Sequence, residues 1–187
     1  MIKNNVAIIL KEINAVLKNV DEYQVDLAIK EILKARSIVL CGAGRMGLMT
    51  RAFAMRLGHL GLKAYFLGDS TVPAIGKKDL LIVCSGSGET QTIYDMALIG
   101  KKCGSRILLV TSYIDHYKSR IAKIADTVVV INAPSKTKKI KGLVSIQPMT
   151  TLYEQCLLIF LDALVLLLMK KSGQSFEDMF CRHSKLE

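Results

Sequence analysis

Five short apolar runs separated by stretches of helical periodicity constrain this chain most. The runs are Ser37–Cys41, Lys63–Leu67, Asp79–Cys84 (DLLIVC), Arg106–Thr111 (RILLVT) and Thr127–Ile131 (TVVVI). A strand with one wet face alternates polar and apolar residues. These runs are almost wholly apolar, so they read as strands buried on both faces. Between them, Met46–His59, Thr90–Cys103 and Ser119–Ala125 read as helices. Buried strands alternating with helices imply an α/β fold. The expectation is a five-stranded parallel doubly wound sheet flanked by helices, a flavodoxin-like three-layer sandwich.

Two helices precede the sheet. Val6, Ile9, Leu10, Ile13, Val16 and Leu17 mark the first. Asp21 caps the second, with Gln24 in the capping-box position and Leu27, Ile29, Ile32 and Leu33 on its apolar face. Residues 132–147 read as a basic loop punctuated by Pro134 and Gly142, with Pro148 after it. A long helix then runs from about Met149 to Lys171, Gly173 stops it, and a last short helix begins near Ser175. The 187 residues suit one domain: N-terminal helices over 1–35, a sheet core over 36–131, and C-terminal helices with a tail over 149–187.

Within the long helix, Leu157–Met169 is apolar except for Asp162. Those 13 residues fall short of the roughly 18 that a membrane span requires. A helix apolar nearly all round calls for burial on several sides, and a subunit interface would supply one of them. No membrane partner is expected. The amphipathic segment Met1–Leu17, with Lys3, Lys11 and Glu12, does not read as a signal peptide. The five cysteines include no C-x-x-C spacing, which suggests reduced, buried thiols in a cytoplasmic protein.

The net charge of +10 draws much of its excess from Lys136, Lys138, Lys139, Lys141, Lys170, Lys171, Arg182 and Lys185. Such an excess is either solvated surface or a field that attracts anions. No helix-turn-helix, zinc spacing or aromatic stacking motif is present, and Trp is absent, so nucleic acid is not the expected partner. A small phosphorylated metabolite fits better.

Two glycine-rich turns follow strands. In Cys41–Gly47 (CGAGRMG), Gly42, Gly44 and Gly47 spell the dinucleotide fingerprint, and Asp69 lies where a ribose-binding acid would. The third strand ends in Ser85-Gly86-Ser87-Gly88-Glu89-Thr90. A plain helix cap needs one hydroxyl; this turn has three, together with backbone amides and the positive end of a helix. That is a phosphate cradle, which a nicotinamide enzyme would not need at this second position.

GAGRMG, Thr71-Val72-Pro73-Ala74 and SGSGET together resemble the SIS (sugar isomerase) domain. Ser145-Ile146-Gln147-Pro148-Met149, followed by Leu152-Tyr153-Glu154-Gln155 and the ending Arg182-His183-Ser184-Lys185-Leu186-Glu187, resembles the 6-phospho-3-hexuloisomerase family. The resemblance spans about Ile32 to Glu187. It implies conversion of D-arabino-3-hexulose 6-phosphate to fructose 6-phosphate in the ribulose monophosphate route for formaldehyde. It also implies no redox cofactor, no metal, and a homotetramer with active sites near subunit interfaces. Met46 departs from the usual Ser of G-A-G-R-S-G, and Ser184-Lys185 replaces a more usual small residue and Asn.

Moving a carbonyl from C3 to C2 requires one positioned base and donors aimed at an enediolate oxygen. Glu154 is the expected base: it opens an apolar helix, where partial desolvation would raise its pKa, and the family places its catalytic Glu there. Glu89 is the rival carboxylate, awkward beside a phosphate and better suited to organising structure or a partner subunit. Ser85, Ser87 and Thr90 are expected to hold the phosphate, with backbone donors near Gly88. Gly42 and Gly44 give close backbone approach, and Arg45 serves phosphate or oxyanion. The resemblance makes His183 a proton shuttle that reaches a neighbouring subunit. His59 and His116 lie in no motif and read as structural or surface residues.

Overall fold

The computed structural model describes residues 1–112, 118–134, 140 and 142–186. The basic cluster Lys136, Lys138, Lys139 and Lys141, as well as His116, lies outside them. The chain order is α1 (Ile2–Leu17), α2 (Glu22–Lys34), β1 (Ile38–Gly42), α3 (Gly44–His59), β2 (Ala64–Phe66), β3 (Leu80–Cys84), α4 (Gln91–Lys102), β4 (Arg106–Thr111), β5 (Thr127–Val130), α5 (Thr151–Ser172) and α6 (Phe176–Cys181). The five strands form one parallel sheet in the order β2-β1-β3-β4-β5. This is the expected α/β architecture.

The sheet separates two apolar cores. The larger lies under α1, α2, α3 and α5 and includes Ile29, Ile32, Leu40, Leu57, Ile82, Tyr153 and Leu157. The smaller lies under α4 and includes Val39, Leu81, Ile93, Ala97 and Ile121. Alternate residues of β1 and β3 serve opposite cores, which is why these strands are apolar throughout.

Two local expectations are corrected. Ser119–Ala125 forms successive turns, not a helix, with Ile121 buried beneath α4. Gln24 does not close a capping box: its Oε1 accepts from the Val130 amide at 2.9 Å and ties α2 to the sheet edge. The outer stripe of α1 is exposed at Ile2, Val6 and Leu10, while Ile13 and Val16 are buried.

Among the described residues, α5 is the one helix long and apolar enough to cross a membrane, and 56% of its apolar window is buried inside the protein. Gly173, at φ 67°, ends it in a left-handed cap, as Gly does where a side chain would be strained.

Candidate active site

In this strand order the connections leave β1 and β3 in opposite directions, which opens a crevice at their carboxyl ends. Gly42 and Cys84 end the two strands in register. The crevice therefore receives the turn into α3, the Ser85–Thr90 turn and, above them, the first turn of α5.

The glycines of CGAGRMG divide by role. A Cβ on Gly47 would lie 2.6 Å from the Gly42 carbonyl oxygen, and one on Gly42 would lie 3.0 Å from Thr50 Oγ1 and 3.3 Å from the Cys84 carbonyl oxygen. Both glycines let α3 cross the sheet at backbone contact. Gly44 is different: it opens α3 at φ 58° with nothing within 4 Å of where its Cβ would be. The acid of the dinucleotide reading is already engaged, since Asp69 pairs with Arg51 at 3.1 Å.

The Ser85–Thr90 turn is tied down from both sides. The Gly86 carbonyl accepts from Thr111 Oγ1 (3.0 Å), Ser112 Oγ (2.7 Å) and the Ser112 amide (3.1 Å). The Gly88 amide donates to Ser85 Oγ, and the Glu89 amide to Ser87 Oγ, both at 3.2 Å. Each hydroxyl accepts in these bonds, so its own proton is what an anion's oxygen would take. Ser85 is buried and Ser87 half-buried. Thr90 is the N-cap of α4 by position, but its side chain makes no cap hydrogen bond. Gly88 holds φ 65°. Glu89 turns to Arg120, which donates from its amide (2.7 Å) and from Nε (2.8 Å). That guanidinium holds the Glu89 carboxyl below the usual carboxylate range. Glu89 thus anchors the turn to the segment after β4.

Tyr153 brings α5 onto this turn. Its ring packs against Gly86, where a Cβ would lie 3.3 Å from it, and its hydroxyl donates to the Val110 carbonyl at 3.0 Å. The next residue, Glu154, is 9% exposed. Its Oε2 accepts from Arg45 Nη1 at 2.9 Å and its Oε1 from Thr150 Oγ1 at 2.9 Å. The structure therefore joins Arg45 and Glu154, which are 109 residues apart in the chain, at the start of the helix that Tyr153 packs onto the Ser85–Thr90 turn. A carboxylate, a guanidinium and an anion cradle in one crevice can accept a proton from carbon while a charged substrate is held still.

Sequence reasoning missed what organises this helix start. Glu12 of α1, 8% exposed, accepts from Ser145 Oγ (2.7 Å), the Ile146 amide (2.9 Å) and Gln147 Nε2 (3.0 Å). Burial pushes its carboxyl up, but the Gln147, Ile146 and Ser145 donors outweigh that and leave it below its ordinary value. The polar side chains of Ser145 and Gln147 thus bind α1 rather than line the crevice. The signal available was a lone Glu among the apolar residues of the first helix.

A family model for the SIS domain matches residues 31–159. The chain belongs to the SIS domain family. It is 37% identical over 182 residues to a Bacillus subtilis protein named 3-hexulose-6-phosphate isomerase, covering 97% of each chain. A Mycobacterium gastri protein of the same name is also 37% identical, covering all of this chain and 92% of its own. Among solved structures, a Methanococcus jannaschii protein superposes with a TM-score of 0.83 at 34% identity, covering 98% of this chain and 99% of its own. The description of that structure infers a function of 3-hexulose-6-phosphate isomerase.

His183, beyond the matched residues, lies far from Glu154. Its ring centroid is 5.2 Å from that of His59, at the end of α3. Arg45 and His59 are separated by 14 residues of α3, about 20 Å at the helical rise. Arg182 fixes the tail by donating to the His59 carbonyl at 3.0 Å and to Gln174 Oε1 at 2.8 Å. His59 is thus a buried neighbour of His183, which its lack of a motif did not foretell. Met46, in place of the usual Ser, packs against the larger core.

Proposed function

We propose that this SIS protein is a 6-phospho-3-hexuloisomerase, converting D-arabino-3-hexulose 6-phosphate to fructose 6-phosphate. The observation that carries the proposal is Glu154, a nearly buried carboxylate held between Arg45 and Thr150 at the start of the helix that packs onto a hydroxyl-rich turn. The names of its full-length relatives supply the substrate.

In this reading the hydroxyls of Ser85, Ser87 and Thr90 bind the phosphate, and the Gly88 and Glu89 amides, which donate to Ser85 and Ser87, hold two of those hydroxyls in place. Gly44 leaves open space at the mouth of the crevice. The C3 carbonyl acidifies the proton on C2. Glu154 takes that proton, the C2–H electron pair forms the C2=C3 bond of a cis-enediolate, and the charge comes to rest on O3. Arg45 turns from the carboxylate to that oxygen or to the phosphate. Glu154 then delivers its proton to C3 and the carbonyl re-forms at C2. A hydroxyl proton must also pass from O2 to O3, and His183 is suited to carry it.

Within one chain His183 is too distant for that step, so a second copy in a homotetramer would supply it. Leu166, Phe176 and Phe180 around His183 are 66%, 70% and 67% exposed, which supports an interface there. Burial pushes the thiols of Cys41 and Cys156 up to about 12 and that of Cys84 to about 11, but Cys103 and Cys181 are exposed, so the expectation of buried thiols holds for three of the five cysteines.

The test is 13C NMR of fructose 6-phosphate incubated with the purified protein. A new ketone at C3 is the expected product. An aldose instead would indicate a different SIS isomerase. Binding without conversion would indicate a phosphosugar sensor.

A further inference from the structure

Thr150 precedes α5 and occupies its N-cap position, where a threonine hydroxyl ordinarily accepts from an amide of the first turn. Here it makes no such bond. It donates instead to Glu154 Oε1 at 2.9 Å. Its backbone (φ −106°, ψ 14°) lies outside the extended conformation usual for a cap. The preceding Met149 holds φ 56°, a left-handed conformation that a side chain adopts at a cost of about 1–2 kcal/mol. The loop before α5 thus keeps a strained turn, and the hydroxyl it presents goes to a carboxylate rather than to the helix.

The two oxygens of Glu154 have unlike partners. Oε2 faces Arg45, whose side chain is 45% exposed and carries a charge that a sugar phosphate would attract. Oε1 faces a short, β-branched, neutral side chain with little rotamer freedom, one helical turn away. When Arg45 moves to the substrate, Glu154 would be free to rotate about its side-chain bonds unless a second group held it. Thr150 is that group, and because it is uncharged it does not compete for the anion.

We propose that Thr150 is a positioning residue for the isomerisation: its hydroxyl anchors Oε1 so that Oε2, vacated by Arg45, meets the proton on C2. The proposal rests on Glu154 being the base. Thr150 keeps its own proton throughout; at Glu154 the carbon-bound proton moves to Oε2 and then to C3, while the hydroxyl proton passes separately from O2 to O3.

The test compares Thr150→Val, Thr150→Ala, Thr150→Ser and Glu154→Gln in steady-state turnover, with circular dichroism to confirm folding. Thr150→Val and Thr150→Ala are expected to lower kcat by about 10- to 100-fold, the range for losing a hydrogen bond to a charged group. KM should stay within about twofold, and Thr150→Ser should recover most of the rate. Glu154→Gln should abolish turnover, and adding Thr150→Val to it should change nothing further, as for two residues acting as one unit. Wild-type kcat in folded Thr150→Val or Thr150→Ala, or equal losses in Ser and Val, with Glu154→Gln inactive, would overturn the positioning role and leave the base intact. Turnover by Glu154→Gln would overturn the base and this proposal with it.

Discussion

Replacing Glu12 with Ala removes the acceptor shared by Ser145 Oγ, the Ile146 amide and Gln147 Nε2. A hydrogen bond to a charged group contributes about 1.5–3 kcal/mol. Three would suggest a large loss, but Ser145 and Gln147 are half-buried and Ile146 is exposed, so water repays part of it. The expected destabilisation is about 2–4 kcal/mol, a Tm lower by about 5–15 °C for a chain of this size. Glu12→Gln keeps the volume and one acceptor oxygen, so it should lose about half as much. The loss should extend to the chemistry, because the clamped residues lead directly into Thr150 and Glu154. Calorimetry checks the first part and turnover at saturating substrate the second. A Glu12→Ala protein with wild-type Tm and wild-type kcat would refute the clamp.

Gly88→Ala places a side chain at φ 65° and within 2.8 Å of Ser119 Cβ. The left-handed strain alone costs about 1–2 kcal/mol, and the turn must shift, so KM for the sugar phosphate should rise more than about tenfold, read by steady-state kinetics. Gly47→Ala sets a Cβ 2.6 Å from the Gly42 carbonyl oxygen. Because the atoms in the way are the Gly42 backbone and not a flexible side chain, overpacking should cost about 2–3 kcal/mol and lower Tm by about 5–10 °C in a thermal melt. Asp79 is buried, and Arg36, with help from Ser37 and the Gly76 amide, holds its carboxyl below the ordinary range. A depressed carboxyl stabilises the fold fully above its unfolded pKa, about 4, and loses that contribution as pH falls through the folded value. Tm should therefore drop with acidification below about pH 4, and Asp79→Asn should be less stable at neutral pH with a flatter acid slope.

The sheet was legible because strands buried on both faces must be apolar throughout; Leu80–Cys84 and Arg106–Thr111 could hardly be anything else. Gly173 announced the end of α5 through the left-handed cap it adopts. The turns at Ser119–Ala125 were not legible. Ile121 belongs to the core beneath α4, and its burial, not local periodicity, sets that segment. Gln24 likewise satisfied a local rule for a cap, yet its side chain bonds the edge strand, a partner 106 residues away. At the crevice, the Ser85–Thr90 turn and Glu154 stood out because hydroxyls before a helix and a carboxylate on an apolar helix are unusual. Thr150 and Glu12 did not, because each matters only through one partner that the fold brings close. The distance between His183 and Glu154 was also invisible, since it depends on which end of α3 the tail reaches.

The most direct test of the central claim is 1H NMR of fructose 6-phosphate in D2O, with wild-type protein and Glu154→Gln followed side by side. A single base that forms the 2,3-enediolate exchanges the proton on C3. The C3 proton signal should disappear with the wild-type protein and persist with Glu154→Gln. Exchange at C1, or exchange at C3 that survives Glu154→Gln, would contradict the claim.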